Sequence, residues 1–137
     1  MTKKSVGILL FNQIEVLDFC GPFEVFSVTR LDESRRQKTT SPFKISLIAH
    51  TNDPIITTGG MRVLPDYTLE TCPALDILIV PGGWGTRTEM YNKILISWIA
   101  EQASTLDALA SVCTGALLLG QAGLLQNKEA TTHWKSL

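Results

Sequence analysis

Short apolar runs recur along the chain, separated by polar or glycine-rich stretches. Residues 6–11, Val-Gly-Ile-Leu-Leu-Phe, are continuously apolar, the pattern of a strand buried on both faces. Residues 43–49 alternate and then run apolar, giving a second strand. Residues 76–80 give a third, stopped by Pro81-Gly82-Gly83-Trp84-Gly85, and residues 106–112 give a fourth. The spacing predicts a loop over 12–19 and a helix opened by Gly21-Pro22, with Pro22 near its first turn and Phe23, Val25, Phe26 and Leu31 on its apolar face. Residues 32–42 are polar and read as a surface connection. Residues 55–64, folded about Gly59-Gly60, read as a small hairpin, because a glycine pair tolerates the positive φ of a tight turn. Residues 67–73 read as a connection with room for a helical turn. Ile94, Leu95, Trp98, Ile99 and Ala103 fall at helical spacing, and a last helix after Cys113 stops at Gly123.

Strands alternating with helices predict one α/β domain over residues 1–137, a mostly parallel sheet with helices on both faces. Ligands of such folds sit at the carboxyl ends of the strands. Three unusual loops fall there: residues 15–22, 81–86 and 113–115. An acid, a glycine-rich turn and a cysteine therefore share one edge of one sheet.

Composition narrows the function classes. The 137 residues are 45% hydrophobic but only 18% charged, below the roughly 25% of ordinary soluble domains, as suits a sheet covered on both faces. A net charge of −1 gives no electrostatic case for nucleic acid or an anionic membrane. No apolar run approaches the ~18 residues of a membrane span. Cys20, Cys72 and Cys113 are odd in number, lack metal-ligand spacing and follow no secretory signal, so a cytoplasmic protein with reduced thiols and no metal is expected.

The chemistry centres on Cys113. A thiol between a buried strand and a helix meets the positive end of the helix dipole, which favours the nucleophilic thiolate; the bland alternative is a packed core cysteine. Asp18, in Leu17-Asp18-Phe19-Cys20-Gly21-Pro22, is either the N-cap of the following helix or a desolvated acid able to deliver a proton. Glu15 and Glu24 are weaker rivals, Glu24 being placed in the first turn of that helix. Gly82, Gly83 and Gly85 make a tight turn, or bring N–H donors to a developing anion with the Thr114 N–H as a second donor. The Thr114 hydroxyl either caps its helix or touches substrate or sulfur. His133 must fold back from beyond Gly123 to reach Cys113. His50, Cys20 and Cys72 read as bystanders.

At these residues the chain resembles the ThiJ/PfpI superfamily, a branch of the class I glutamine amidotransferase-like fold. The matching stretches are residues 6–11, Leu17 to Phe26, Thr58 to Pro65, Asp76 to Gly83, Ser111-Val112-Cys113-Thr114-Gly115 and Ala130 to Trp134. They cover almost the whole chain, and the Leu-Asp-x-x-Gly-Pro and Val-Cys-Thr-Gly signatures are those of isonitrile hydratases and of sensor domains in AraC-type regulators. The resemblance implies a flavodoxin-like doubly wound sandwich, with Cys113 as elbow nucleophile and Asp18 as the acid facing it. Thr114 stands where peptidase-like members carry histidine, and Asp18 where redox-sensing members carry glutamate, which argues against both activities. Relatives also add a helix, a strand and a closing helix after the His133-Trp134 segment, so the C-terminal part of the family fold is expected to be missing.

The function so implied is isonitrile hydration: Cys113, Asp18 and Thr114 are catalytic, with Gly82, Gly83 and Thr114 binding substrate or stabilising charge, and His133 and Glu15 as secondary candidates. No cofactor is needed. The partners expected are a small-molecule substrate and, by resemblance, a second copy of the chain. The alternatives are a ligand-sensing module, for which this chain shows no helix-turn-helix, and another cysteine activity such as a small hydrolase, a glyoxalase-like reaction, a redox sensor or a chaperone.

Overall fold

The structure, a computed structural model, describes residues 2–137. In chain order the elements are β1 (Lys4–Leu9), α1 (Val16–Val28), β2 (Phe43–Ala49), β3 (Ile55–Ile56), β4 (Arg62–Val63), β5 (Tyr67–Thr68), β6 (Ile77–Val80), α2 (Thr86–Glu89), α3 (Lys93–Ala103), β7 (Ala108–Ser111) and α4 (Gly115–Gln121). Five strands form a sheet in the order β5-β2-β1-β6-β7, every neighbouring pair parallel. The antiparallel pair β3-β4 is the expected hairpin. From β1 the chain winds outward through β2, then returns to add β6 and β7 on the other side. Winding direction reverses between β1 and β6, so the loops leaving these two strands diverge and open a crevice.

The apolar runs of β1, the end of β2 and β6 bury as their pattern predicts, whereas residues 106–112, expected as a buried strand, lie at the sheet edge with Ala108 and Ala110 exposed. Val6, Ile8, Leu9, Leu10, Ile48, Leu78 and Val80 are sealed in the sheet, and Phe19, Leu95, Ile99 and Leu118 close on them from α1, α3 and α4. α4 ends in a Schellman arrangement: the Leu124 N–H donates to the Leu119 carbonyl and the Gly123 N–H to the Gly120 carbonyl, both at 3.0 Å.

Three further expectations are corrected. α1 begins at Val16, not at Gly21, and Pro22 lies in its interior. The earlier start moves the buried stripe to Val16, Phe19, Cys20 and Phe26, leaving Phe23, Val25 and Leu31 exposed and Glu24 in mid-helix. The segment after Pro65 contains a strand: the Asp66 N–H donates to the Leu47 carbonyl at 2.7 Å, its carboxylate accepts the Leu47 N–H at 2.8 Å, and this clamp lays Tyr67–Thr68 along β2. A single-turn helix, α2, follows the glycine-rich loop. Two-residue strands and one-turn helices are too short for periodicity to reveal.

Candidate active site

Cys113 occupies the turn between β7 and α4 with φ of 54°. Left-handed backbone at a non-glycine residue costs about 1–2 kcal/mol, so the surroundings must enforce it. The Thr132 hydroxyl donates to the Cys113 carbonyl at 3.0 Å, and the Gly115 N–H donates to the Val112 carbonyl at 2.9 Å. The result is a sharp strand-to-helix elbow with a half-buried sulfur at its tip.

Asp18 comes from the first turn of α1 and is not its N-cap; Glu15 holds that position, without a side-chain capping bond. Instead Asp18 Oδ2 accepts the Gly82 N–H at 3.2 Å. Burial raises the Asp18 pKa above the ordinary carboxylate value, opposed by the Gly82 N–H, the Cys113 thiol and the charge of His133. The Cys113 contact is loose: it bears on the carboxyl without the geometry of a formed hydrogen bond. Acid and sulfur are nonetheless neighbours, brought together from β1–α1 and β7–α4 across the end of β6.

The glycine turn after β6 connects them. Its N–H groups face inward rather than toward a substrate, a correction to the expected role of Gly82 and Gly83 as anion donors: Gly82 serves Asp18, and the Gly83 N–H donates to Thr114 Oγ1 at 3.0 Å. The packing explains why. A Cβ on Gly82 would stand 2.6 Å from the Thr114 backbone nitrogen, so only glycine lets this loop lie against the elbow. Thr114 is buried, with the Thr86 hydroxyl 3.3 Å from its own, and Thr86 donates to the Gly83 carbonyl at 2.8 Å. Among the described residues neither the Cys113 nor the Thr114 N–H has an acceptor.

A cleft of about 400 Å³ opens on Cys113. Thr114, Gly83, Glu15 and His133 line it, so the segment beyond Gly123 does fold back over the elbow. His133 Nδ1 accepts the Lys135 N–H at 3.3 Å. Trp84, Arg87, Lys135 and Ser136 also line the cleft, and sequence reasoning missed all four. Only Trp84 carried a signal, a large aromatic inside a glycine turn. His50, in contrast, is exposed at the end of β2 with Nδ1 3.1 Å from Asn92 Nδ2, outside this cleft. Burial pushes the Cys72 thiol up to about 11, and its sulfur donates to the Pro73 carbonyl at 3.2 Å; it and Cys20 pack against the core. Among the described residues no three His, Cys, Asp or Glu side chains gather as a metal site, and no helix is long and apolar enough to cross a membrane.

A parallel sheet reversing between β1 and β6, with a cysteine at a strand-to-helix elbow near a half-buried aspartic acid, defines a flavodoxin-like domain. The chain belongs to the DJ-1/PfpI family, whose sequence profile matches residues 4–137. It is 37% identical over 130 residues to an isonitrile hydratase of Pseudomonas putida, covering 95% of this chain and 52% of that protein. It is 24% identical to the HTH-type transcriptional regulator GbdR of Pseudomonas aeruginosa, covering 98% of this chain and 35% of that protein. Among solved structures, a ThiJ/PfpI family protein from Pseudomonas syringae superposes with a TM-score of 0.84 at 30% identity, covering 98% of this chain and 52% of that one. The chain thus spans about half the length of the hydratase it resembles.

Proposed function

We propose that this chain hydrates a small-molecule isonitrile, R–N≡C, to the N-substituted formamide. The observation that carries the reading is the pairing of an elbow cysteine with an aspartic acid whose carboxyl is biased toward its protonated form. The Cys113 sulfur attacks the terminal carbon, forming the C–S bond, while Asp18 gives that carbon its proton, producing the thioimidate R–N=CH–S–Cys113. Water then adds across the C=N bond, and the resulting R–NH–CH(OH)–S–Cys113 expels the sulfur and gives up its hydroxyl proton, leaving R–NH–CHO. The net change is addition of one water. In this reading the Thr114 N–H serves as a donor to the developing charge, and the buried Thr114–Thr86–Gly83 cluster supports the elbow. Similarity to the P. putida hydratase supports this choice among cysteine chemistries. The three free cysteines fit a reducing compartment such as the cytoplasm.

The test is formamide production from an alkyl isonitrile by the purified chain. Loss of turnover in Cys113→Ala and a fall of about a hundredfold or more in Asp18→Asn are expected; equal rates in wild type and Cys113→Ala remove the proposed nucleophile. The similarity to GbdR favours a second reading, a ligand-sensing domain. A compound that raises the melting temperature of the chain and is recovered unchanged would select it.

A further inference from the structure

Resting on the isonitrile reading, we infer that the substrate carries a carboxylate on its R group, recognised by Arg87 with help from Lys135. Arg87 projects from α2 into the cleft that holds Cys113. Its guanidinium carbon stands 4.7 Å over the Trp84 ring, Nη1 lies 3.3 Å from Thr86 Oγ1, and Nη2 lies 3.1 Å from Ser136 Oγ. All three fixtures are neutral. The ion pairs formed among the described residues are Lys4–Asp107 and Arg36–Glu33, so Arg87 is held in place by groups that do not compensate its charge. Lys135 lines the same cleft, with its ammonium over the Trp134 ring at 5.1 Å and no carboxylate partner among the described residues. Glu15 is the single carboxylate on the lining, so the two cations outnumber it.

A guanidinium whose fork is fixed beforehand binds a carboxylate bidentately with little further ordering. Trp84, 68% exposed, lays an apolar platform beside it for the carbon chain between the acid and the isonitrile. A neutral alkyl isonitrile uses the platform and leaves the cations unused.

The experiment compares kcat/KM for γ-isocyanobutyrate and its methyl ester, which differ in charge but share the reacting group. Wild type is expected to favour the acid by about tenfold or more, with the preference shrinking as salt is raised. In Arg87→Gln the acid-to-ester ratio falls toward one, and Arg87→Lys keeps part of it. A wild-type ratio near one overturns the inference, as does an Arg87→Gln variant that slows both substrates equally, the mark of a merely structural arginine. A second arm is independent of turnover: calorimetric binding of γ-formamidobutyrate and its methyl ester to Cys113→Ala. Preference for the acid there, without wild-type turnover of either isonitrile, keeps the anion site and removes the hydratase reading. No preference removes the anion site.

Discussion

Cys113 combines a nucleophilic atom with a backbone conformation that its own Cβ disfavours, and the two can be separated by substitution. Cys113→Gly and Cys113→Ala both delete the sulfur, but only glycine is at ease at φ of 54°. Denaturant unfolding is expected to find the glycine variant about 1 kcal/mol more stable than the alanine variant; equal stabilities mean that the elbow is unstrained. Asp18 makes a second prediction. Its folded pKa is raised, chiefly by burial, so folding favours its protonated form. The associated stability is present below the ordinary aspartate pKa and is lost as pH rises through the folded value. Asp18→Asn, which keeps an oxygen for the Gly82 N–H, should therefore melt at a higher temperature than wild type at neutral pH, with the gap closing toward acid pH. A gap that is absent or reversed contradicts the burial argument. Both residues were legible in the sequence because each stands beside chain punctuation, Thr114-Gly115 in one case and Gly21-Pro22 in the other. His133 and Arg87 were not placed, since their position depends on how residues beyond Gly123 return over the elbow and on a one-turn helix without periodicity.

At the scale of elements, the site depends on how closely α4 starts against β6. A Cβ on Gly115 would collide with the Val80 and Pro81 carbonyl oxygens, which are backbone and cannot rotate away. Gly115→Ala should cost about 1–3 kcal/mol or more in unfolding free energy and displace the sulfur with the helix; crystallography of a variant with wild-type stability and an unmoved elbow would refute the close-approach argument. The long buried strands were readable because both of their faces are covered, which makes their sequences continuously apolar. α1 shows the opposite case. Gly21-Pro22 mimics a helix start, yet the packing of Val16, Phe19 and Cys20 extends the helix one turn and more toward its N-terminus. Pro22 then has no N–H to give the Asp18 carbonyl four residues earlier. Tertiary burial outweighed a local signal there, and the shift placed Asp18 inside the first turn, aimed at Gly82 rather than at its own helix.

Across the whole molecule, three loops from one end of the sheet meet because the strand order reverses between β1 and β6. That convergence was expected from alternating strands and helices before any contact was known. β7 is an edge strand among the described residues, with Ala108 and Ala110 exposed. We propose that this chain pairs with a second copy, and that Ala110→Lys, which puts a charge on the open edge, shifts its mass in light scattering toward the monomer. An unchanged mass distribution excludes β7 from the contact. The proposed hydration turns on one covalent bond, which mass spectrometry of the intact chain, quenched in acid during reaction with an alkyl isonitrile, can observe. It predicts an increase equal to the mass of the isonitrile, mapped to the peptide containing Cys113 and absent from Cys113→Ala; steady formamide production with Cys113 never modified, or with the alanine variant as active as wild type, contradicts it.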